Sequence, residues 1–121
     1  MSAYNFTKQF AGLVESGQKR QTIRAYGKRK HADAGERIQL YTGMRTRACR
    51  KLVDPDPICL ARLDVEIRRY KSGKRTLRTT GTGALDLGDV AQADGFKNMD
   101  ELIDWIESAY GLPFDGVLLR W

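Results

Sequence analysis

The sequence contains few of the residues that crosslink a chain or bind a metal ion. Among 121 residues there are two cysteines and one histidine. Cys49 and Cys59 alone do not make the framework of a disulfide-stabilised secreted domain, so we expect free thiols in a reducing compartment. With His31 as the only histidine, a zinc site lacks its usual ligands, and we expect neither a metal nor another cofactor.

Long apolar runs are also absent. No stretch approaches the roughly 20 apolar residues that span a bilayer, and residues 1–10 lack the apolar segment of a signal peptide. We therefore expect a cytoplasmic protein without a membrane partner. The hydrophobic content of 41% is ordinary for a globular protein, and we expect residues 1–121 to form a single domain.

Charge is divided unevenly along the chain. The net charge is +6, but residues 1–80 carry nineteen Lys or Arg against seven Asp or Glu, whereas residues 81–121 carry two against eight. The basic part favours a nucleic-acid partner, since a positive field raises the association rate for a polyanion. The alternative is a solubilising surface charge. The cationic loop of residues 27–31 likewise either grips phosphate or is a solvated loop tip.

Two segments carry apolar residues at helical spacing. The first covers residues 7–16 and ends at Gly17, a common C-terminal stop. The second begins at Asn98, a predicted cap, with Glu101 three residues later. Its predicted buried stripe consists of Met99, Leu102, Ile103, Ile106 and Tyr110. A shorter helix is expected over residues 86–93.

Alternation of polar and apolar residues predicts the strands. They cover residues 19–24, 37–41, 58–70, 75–79 and 116–121. In the third, the alternation shifts by one near Arg62 and Leu63, which predicts a bulge. The last strand is expected to be internal to its sheet. Together these elements predict an α+β protein with a mostly antiparallel sheet that curls into a barrel.

Residues 44–52 carry four cations. If the segment is extended, Arg45, Arg47 and Lys51 lie on one side of it. Arginines at alternate positions suit a phosphate backbone. We therefore predict that this segment contacts nucleic acid.

A second feature of chemical interest is the start of the first long strand. Strict alternation puts Lys19, Gln21 and Ile23 on one face, with Thr22 and Arg24 on the other. The first residue of a twisted strand often lies outside the regular pleat, which would turn Lys19 toward Thr22. A lysine desolvated in a cleft can act as a base toward a threonine nucleophile. The alternative is a basic strand with its charges in water.

In the order and spacing of several stretches, the chain resembles the ASCH domain family, a branch of the PUA-like barrels, and in particular its small single-domain phage and bacterial members. The matching stretches are Phe10 to Gly17 followed by Lys19-Arg20-Gln21-Thr22-Ile23-Arg24, then Gly35-Glu36-Arg37-Ile38-Gln39-Leu40-Tyr41-Thr42-Gly43, Cys49-Arg50-Lys51-Leu52, Ala93-Asp94-Gly95-Phe96, and Gly111-Leu112-Pro113-Phe114-Asp115-Gly116 running to Trp121. Together they cover nearly the whole chain.

The resemblance implies an RNA-binding fold. It is a PUA-like, mostly antiparallel β-barrel flanked by an N-terminal helix and two helices in the C-terminal half, with a ligand cleft between barrel and first helix. Some small members are amidohydrolases that remove the acetyl group from N(4)-acetylcytidine with a lysine, a threonine and a glutamate. The lysine falls on Lys19 and the threonine on Thr22. The glutamate falls close to Asp94, whose side chain is one methylene shorter.

The mechanism that the resemblance implies assigns a role to each of these residues. Thr22 attacks the acyl carbon, Lys19 accepts the hydroxyl proton, and Asp94 protonates the departing cytosine amine. Arg24 or a backbone amide near Gly43 balances the oxyanion. An aromatic side chain stacks on the base or belongs to the core.

The residues expected to bind substrate or RNA are cationic or aromatic. They are Arg20, Arg24, Tyr41, Arg45, Arg47, Arg50, Lys51 and Phe96. The expected partners are an acylated cytidine nucleoside, single-stranded RNA, or both, and the chain is expected to be a monomer or a weak dimer. A non-catalytic single-stranded RNA-binding module, or a ribonuclease of the same family, is the rival hypothesis.

Overall fold

A computed structural model describes residues 2–82 and 89–121, and over these ranges the chain is α+β, with seven strands and three helices. The strands are β1 (Ser2–Phe6), β2 (Gln21–Ala25), β3 (Ile38–Thr42), β4 (Arg50–Lys51), β5 (Ala61–Arg69), β6 (Arg75–Thr82) and β7 (Phe114–Arg120). The helices are α1 (Lys8–Ser16), α2 (Val90–Ala93) and α3 (Met99–Tyr110).

The strands form two sheets, both rich in antiparallel pairs. The first has the order β1-β3-β4 and the second the order β2-β7-β5-β6. Among the strand pairs of the described residues, only β1 and β3 run parallel. Strand β7 lies between β2 and β5, which confirms the prediction of an internal C-terminal strand. Within the described residues, strand pairing does not close the two sheets into one barrel.

Strand β5 is regular along its whole length. Its pairing with β7 runs from Ala61 opposite Arg120 to Ile67 opposite Phe114 without a slip. The predicted bulge near Arg62 and Leu63 is therefore wrong. The apparent shift in alternation arises because the residues before Ala61, including the exposed Leu60, lie outside the strand.

The predicted arginine ladder of residues 44–52 is also wrong, because only Arg50 and Lys51 are extended, in β4. The preceding residues form turns, in which the Thr46 N–H donates to the Gly43 carbonyl at 3.1 Å. Within them, Arg45 has a left-handed backbone with φ of 66°. A chain that turns in this way does not align alternate side chains on one face.

Both long helices begin and end as the sequence predicts. Gly17 ends α1 with φ of 84°, and Asn98 caps α3 by accepting the Glu101 N–H at 2.9 Å. The predicted stripe of α3 is wrong in one place, since Tyr110 is 54% exposed. Of the short helix predicted over residues 86–93, α2 covers Val90–Ala93, and residues 86–88 lie outside the described residues.

One hydrophobic core joins both sheets and all three helices. Its fully buried side chains include Ile38, Leu40, Ile67, Leu102 and Leu118. The rings of Phe6 and Trp121 meet edge to face at 5.9 Å and connect β1 to the end of β7. In β3 and β5, buried residues alternate with more exposed ones, as binary patterning requires, whereas β7 contributes the continuous buried run of residues 116–119.

Substitution of Gly116 tests the close packing of β7 against β2, and substitution of Gly12 in α1 serves as the control. A Cβ at Gly116 would collide with the Arg24 carbonyl and lie 2.8 Å from the Phe114 ring. Gly116→Ala is therefore expected to lower the free energy of unfolding in urea by about 1–3 kcal/mol. Gly12→Ala is the matched control, because a Cβ there meets open space within the described residues. As a helix-interior change, it should raise stability by about 0.5–1 kcal/mol. Equal changes in the free energy of unfolding at both positions would contradict the close packing at Gly116.

Candidate active site

Buried polar side chains are concentrated in one place. Among the residues whose burial is described, four polar or charged ones are buried: Lys19, Gln21, Thr22 and Asp94. None of them exceeds 5% exposure. Burial of charge is costly unless it is paired, and perturbed groups collected in a cleft are a mark of functional sites.

The turn between α1 and β2 positions Lys19. After Gly17 ends the helix, the Lys19 N–H donates to the Leu13 carbonyl at 2.9 Å. The next N–H, that of Arg20, donates to the Ala93 carbonyl at 2.7 Å. The start of β2 is thereby fastened both to α1 and to the end of α2.

The end of α2 brings Asp94 to the same point. Gly95 follows with φ of 93°, a conformation that glycine adopts without strain. A Cβ at Gly95 would lie 3.2 Å from the Leu13 side chain and 3.7 Å from Lys19 Cβ. The glycine thus allows the backbone beside Asp94 to pack closely on the lysine stem.

Lys19 and Asp94 form a buried ion pair. Lys19 Nζ donates to Asp94 Oδ1 and, at 2.6 Å, to the Asp94 carbonyl. Gln21 Nε2 donates to Asp94 Oδ2 at 2.8 Å and to the Val90 carbonyl at 3.0 Å. Gln21 Oε1 in turn accepts from Arg120 Nη2 at 2.7 Å. Both carboxylate oxygens are therefore satisfied, as a buried carboxylate requires.

Burial sets the protonation chemistry of the pair. Desolvation lowers the pKa of Lys19, and the charge and hydrogen bond of Asp94 oppose this shift. The Lys19 ammonium therefore releases its proton more readily than a lysine in water. A lysine whose pKa is lowered by burial can serve as a general base.

Thr22 follows Gln21 in β2 and contacts Arg24. Its Oγ1 accepts a hydrogen bond from Arg24 Nε at 2.9 Å, and Arg24 Nη2 donates to the Asn5 carbonyl at 2.8 Å. The guanidinium also lies 4.9 Å from the centroid of the Phe6 ring. Desolvation lowers the pKa of Arg24, but a guanidinium stays cationic in proteins. A fixed positive charge therefore contacts the threonine hydroxyl.

Lys19, Thr22 and Asp94 line one cavity of about 150 Å³. Within the part of the chain that the structure describes, no hydrogen bond joins Lys19 Nζ to Thr22 Oγ1. Aromatic side chains form another wall of the cavity. They are Phe6, Phe10, Phe96, Trp105 and Tyr110. Phe10 meets Phe96 and Trp105 edge to face at 5.6 and 5.1 Å. An apolar hollow with a few convergent polar groups is the usual form of a small-molecule site.

The residues predicted to bind substrate or RNA are dispersed. Arg24 and Phe96 line the cavity, whereas Arg45 lines an adjoining one. Arg20 and Arg47 are exposed and line neither.

The remaining three predicted binding residues contact other parts of the protein. Arg50 pairs with both oxygens of Glu15 at 2.7 and 2.9 Å. Lys51 Nζ pairs with Asp56 at 2.8 Å and lies 5.7 Å from the Tyr41 ring centroid. The exposed Arg50–Glu15 pair holds its cation to the protein surface but contributes little stability, whereas the Lys51–Asp56 pair is partly buried.

Sequence reasoning did not assign a site role to Gln21, Trp105 or Tyr110. Gln21 could have been found from the alternation that places it on the same face as Lys19. The two aromatics lie on α3, where helical periodicity distinguishes buried from exposed faces but does not reveal a cavity wall. Tyr110 was assigned to the core for this reason, and it lines the cavity instead.

No family model matches the chain, and no curated protein or solved structure is significantly similar to it. Across residues 2–82 and 89–121, no group of three or more His, Cys, Asp or Glu side chains is arranged to hold a metal ion. In the same ranges, no helix is long and apolar enough to cross a membrane.

The ion pair makes stability depend on pH in a defined direction. The pKa of Lys19 is lower in the folded than in the unfolded chain, so the unfolded chain binds more protons between the two values. Stability from this group therefore rises with pH across that window. Asp94→Asn removes the charge that opposes the shift, which lowers the pKa of Lys19 further and leaves a buried ammonium unpaired.

We expect Asp94→Asn to lower the free energy of unfolding by about 3 kcal/mol near neutral pH. The loss should shrink as pH rises, because a neutral amine needs no counterion. Urea unfolding at several pH values measures this. The double variant Lys19→Met/Asp94→Asn, which has no charge left to bury, should recover most of the loss. A loss that is the same at every pH, or no recovery, would contradict the ion pair.

Proposed function

We propose that this chain is an amidohydrolase that removes the acyl group from the exocyclic amine of N(4)-acetylcytidine or a related acylated cytidine. We propose also that it belongs to the ASCH family and that its two sheets correspond to the PUA-like barrel of that family. One observation carries the proposal: Lys19, Thr22 and Asp94, which are all buried, line a single cavity with an aromatic wall.

The ion pair supplies both a base and an acid. Transfer of one proton from Lys19 Nζ to the Asp94 carboxylate turns an ammonium and a carboxylate into an amine and a carboxylic acid. The direct hydrogen bond provides the path for the proton. Burial favours this exchange, since it replaces two desolvated charges by neutral groups.

Acylation of Thr22 then uses both groups. The Lys19 amine accepts the hydroxyl proton while Thr22 Oγ1 bonds to the acyl carbon, and the carbonyl oxygen becomes an oxyanion. Arg24, whose guanidinium contacts Oγ1, supplies a fixed positive charge beside it. As the C–N bond breaks, Asp94 gives its proton to the cytosine amine. Lys19 and Asp94 are left as ammonium and carboxylate.

Deacylation repeats the cycle with water. After a second proton transfer within the pair, the Lys19 amine removes a proton from water as its oxygen attacks the Thr22 ester. Asp94 then protonates the departing threonine oxygen. The products are the free acid and the starting enzyme, so protons balance over the two half-reactions.

The shorter acid in place of glutamate is compatible with these roles. Asp94 holds Lys19 through its carboxylate and its backbone carbonyl, which keeps acid and base in contact. Gln21 holds the second carboxylate oxygen at 2.8 Å. The aromatic wall offers a face on which a pyrimidine can stack.

Two substitutions test the roles of the base and the nucleophile. Lys19→Ala and Thr22→Ala are each expected to lower kcat/KM for N(4)-acetylcytidine by about 10²- to 10⁴-fold, measured as release of cytidine. Thr22→Ser keeps a hydroxyl and should retain most of the activity. Lys8→Ala removes an exposed cation from α1 and should leave the rate unchanged. Wild-type turnover in both alanine variants would exclude the mechanism.

The second candidate is a non-catalytic module for single-stranded RNA, or a ribonuclease. It is favoured by Arg20 and Arg47, two exposed cations outside the candidate active site. This alternative predicts no release of cytidine and an RNA affinity that falls steeply with salt, since many phosphate contacts release counterions. Hydrolysis of an uncharged nucleoside should depend little on salt.

A further inference from the structure

A larger cavity, of about 400 Å³, adjoins the candidate active site. The two share Asn5, Arg24 and Tyr110 as lining residues. We call the larger one the cationic groove, after the cations that line it: Arg24, Arg29, Lys30 and Arg45. No carboxylate is among its lining residues in the described part of the chain. A hollow lined by one sign of charge concentrates the field and attracts anions.

One wall of the groove is a loop pinned by a histidine and a tyrosine. The rings of His31 and Tyr4 stack at 5.8 Å with an interplanar angle of 7°. Tyr4 hydroxyl lies 3.1 Å from His31 Nδ1, and His31 Nε2 lies 3.0 Å from the Ala25 carbonyl. Because a carbonyl only accepts, Nε2 is the donor in its contact with Ala25. Arg29 and Lys30 immediately precede this anchor and are thereby held at the groove.

The opposite wall is the turn that contains Arg45. Its backbone is left-handed, with φ of 66°, which is unfavourable for a residue that has a Cβ. Asn5 Oδ1 accepts the Met44 N–H at 2.9 Å and ties this turn to β1. The surrounding contacts therefore hold an arginine, at a cost in strain, where it lines the groove.

We propose that the cationic groove binds a phosphate group of the substrate, so that the preferred substrate is a phosphorylated acylcytidine rather than the free nucleoside. This inference rests on the proposed function, because it assumes that the cytosine ring of the substrate occupies the candidate active site next to the groove. In a nucleotide, the sugar separates the phosphate from the nucleobase. The groove and the candidate active site are likewise adjacent, and both are lined by Arg24. One arginine guanidinium can donate two parallel hydrogen bonds to the oxygens of a phosphate.

Kinetics with four substrates test the proposal. They are N(4)-acetylcytidine, its 5′- and 3′-monophosphates, and a short oligoribonucleotide that contains one N(4)-acetylcytidine. At least one phosphorylated substrate should have a kcat/KM about tenfold or more above that of the nucleoside, as charge-assisted hydrogen bonds allow. A monophosphate that matches the oligoribonucleotide identifies a free nucleotide as the substrate. An oligoribonucleotide that exceeds both monophosphates identifies the RNA backbone.

Substitutions of the groove cations test where the preference comes from. Arg29→Ala/Lys30→Ala should abolish the preference for phosphate and leave hydrolysis of the nucleoside unchanged. Lys71→Ala/Lys74→Ala removes the same charge from the exposed turn between β5 and β6 and should retain the preference. If both double variants lose it equally, a general field rather than the groove is responsible, and the proposal fails.

Arg45→Gly separates binding from folding. Glycine adopts φ of 66° without strain, so the thermal unfolding midpoint should stay equal or rise while the preference for phosphate falls. A preference that persists in Arg45→Gly and in Arg29→Ala/Lys30→Ala would overturn the proposal.

Isothermal titration calorimetry with cytidine monophosphates and with cytidine distinguishes failure of the phosphate-binding proposal from failure of the proposed function. In one outcome, no substrate is hydrolysed, a monophosphate binds about tenfold or more tightly than cytidine, and the groove variants remove that advantage. This outcome supports phosphate binding in the groove and excludes the amidohydrolase. If nucleoside and nucleotides are hydrolysed with equal kcat/KM, the amidohydrolase is supported and phosphate binding in the groove is excluded.

Discussion

The buried ion pair between Lys19 and Asp94 is the interaction on which the rest of this structure depends. It joins the end of the first helix to the end of the second across 75 residues of sequence. A buried charge pair of this kind adds little to stability compared with apolar packing. Its presence in a small core, with a further hydrogen bond from Gln21, is consistent with the catalytic role that we propose for it.

The pair also links the candidate site to the sheet that supports it. Gln21 contacts Asp94 on one side and Arg120 on the other, and Arg120 lies in the central strand β7. Next to Thr22, Arg24 makes a similar connection to Asn5 in β1. The cavity and the cationic groove meet at this arginine, so the proposed oxyanion stabilisation and the proposed phosphate binding share one side chain. Rigid strands hold both, which is the usual support for a precise site.

Part of this arrangement can be predicted from the sequence. The glycine stop of α1, the Asn98 cap and the alternation in β2 and β7 depend on neighbouring residues, and they predict the short segment that carries both Lys19 and Thr22. The position of Asp94 depends on contacts distant in sequence, and only the family resemblance indicated it. Likewise, the parallel pairing of β1 with β3 has no local signal. The arginine ladder that includes Arg45 follows only if residues 44–52 are extended, and composition there does not distinguish an extended segment from a turn.

The protonation state of Lys19 is the most direct test of the account, because the base, the acid and the pH dependence of stability all derive from it. Nuclear magnetic resonance of the Lys19 side chain across a pH titration measures its pKa by itself. The account predicts a value clearly below that of the exposed lysines, and a further fall in Asp94→Asn. A Lys19 that titrates with the exposed lysines, at about 10.4, would contradict it.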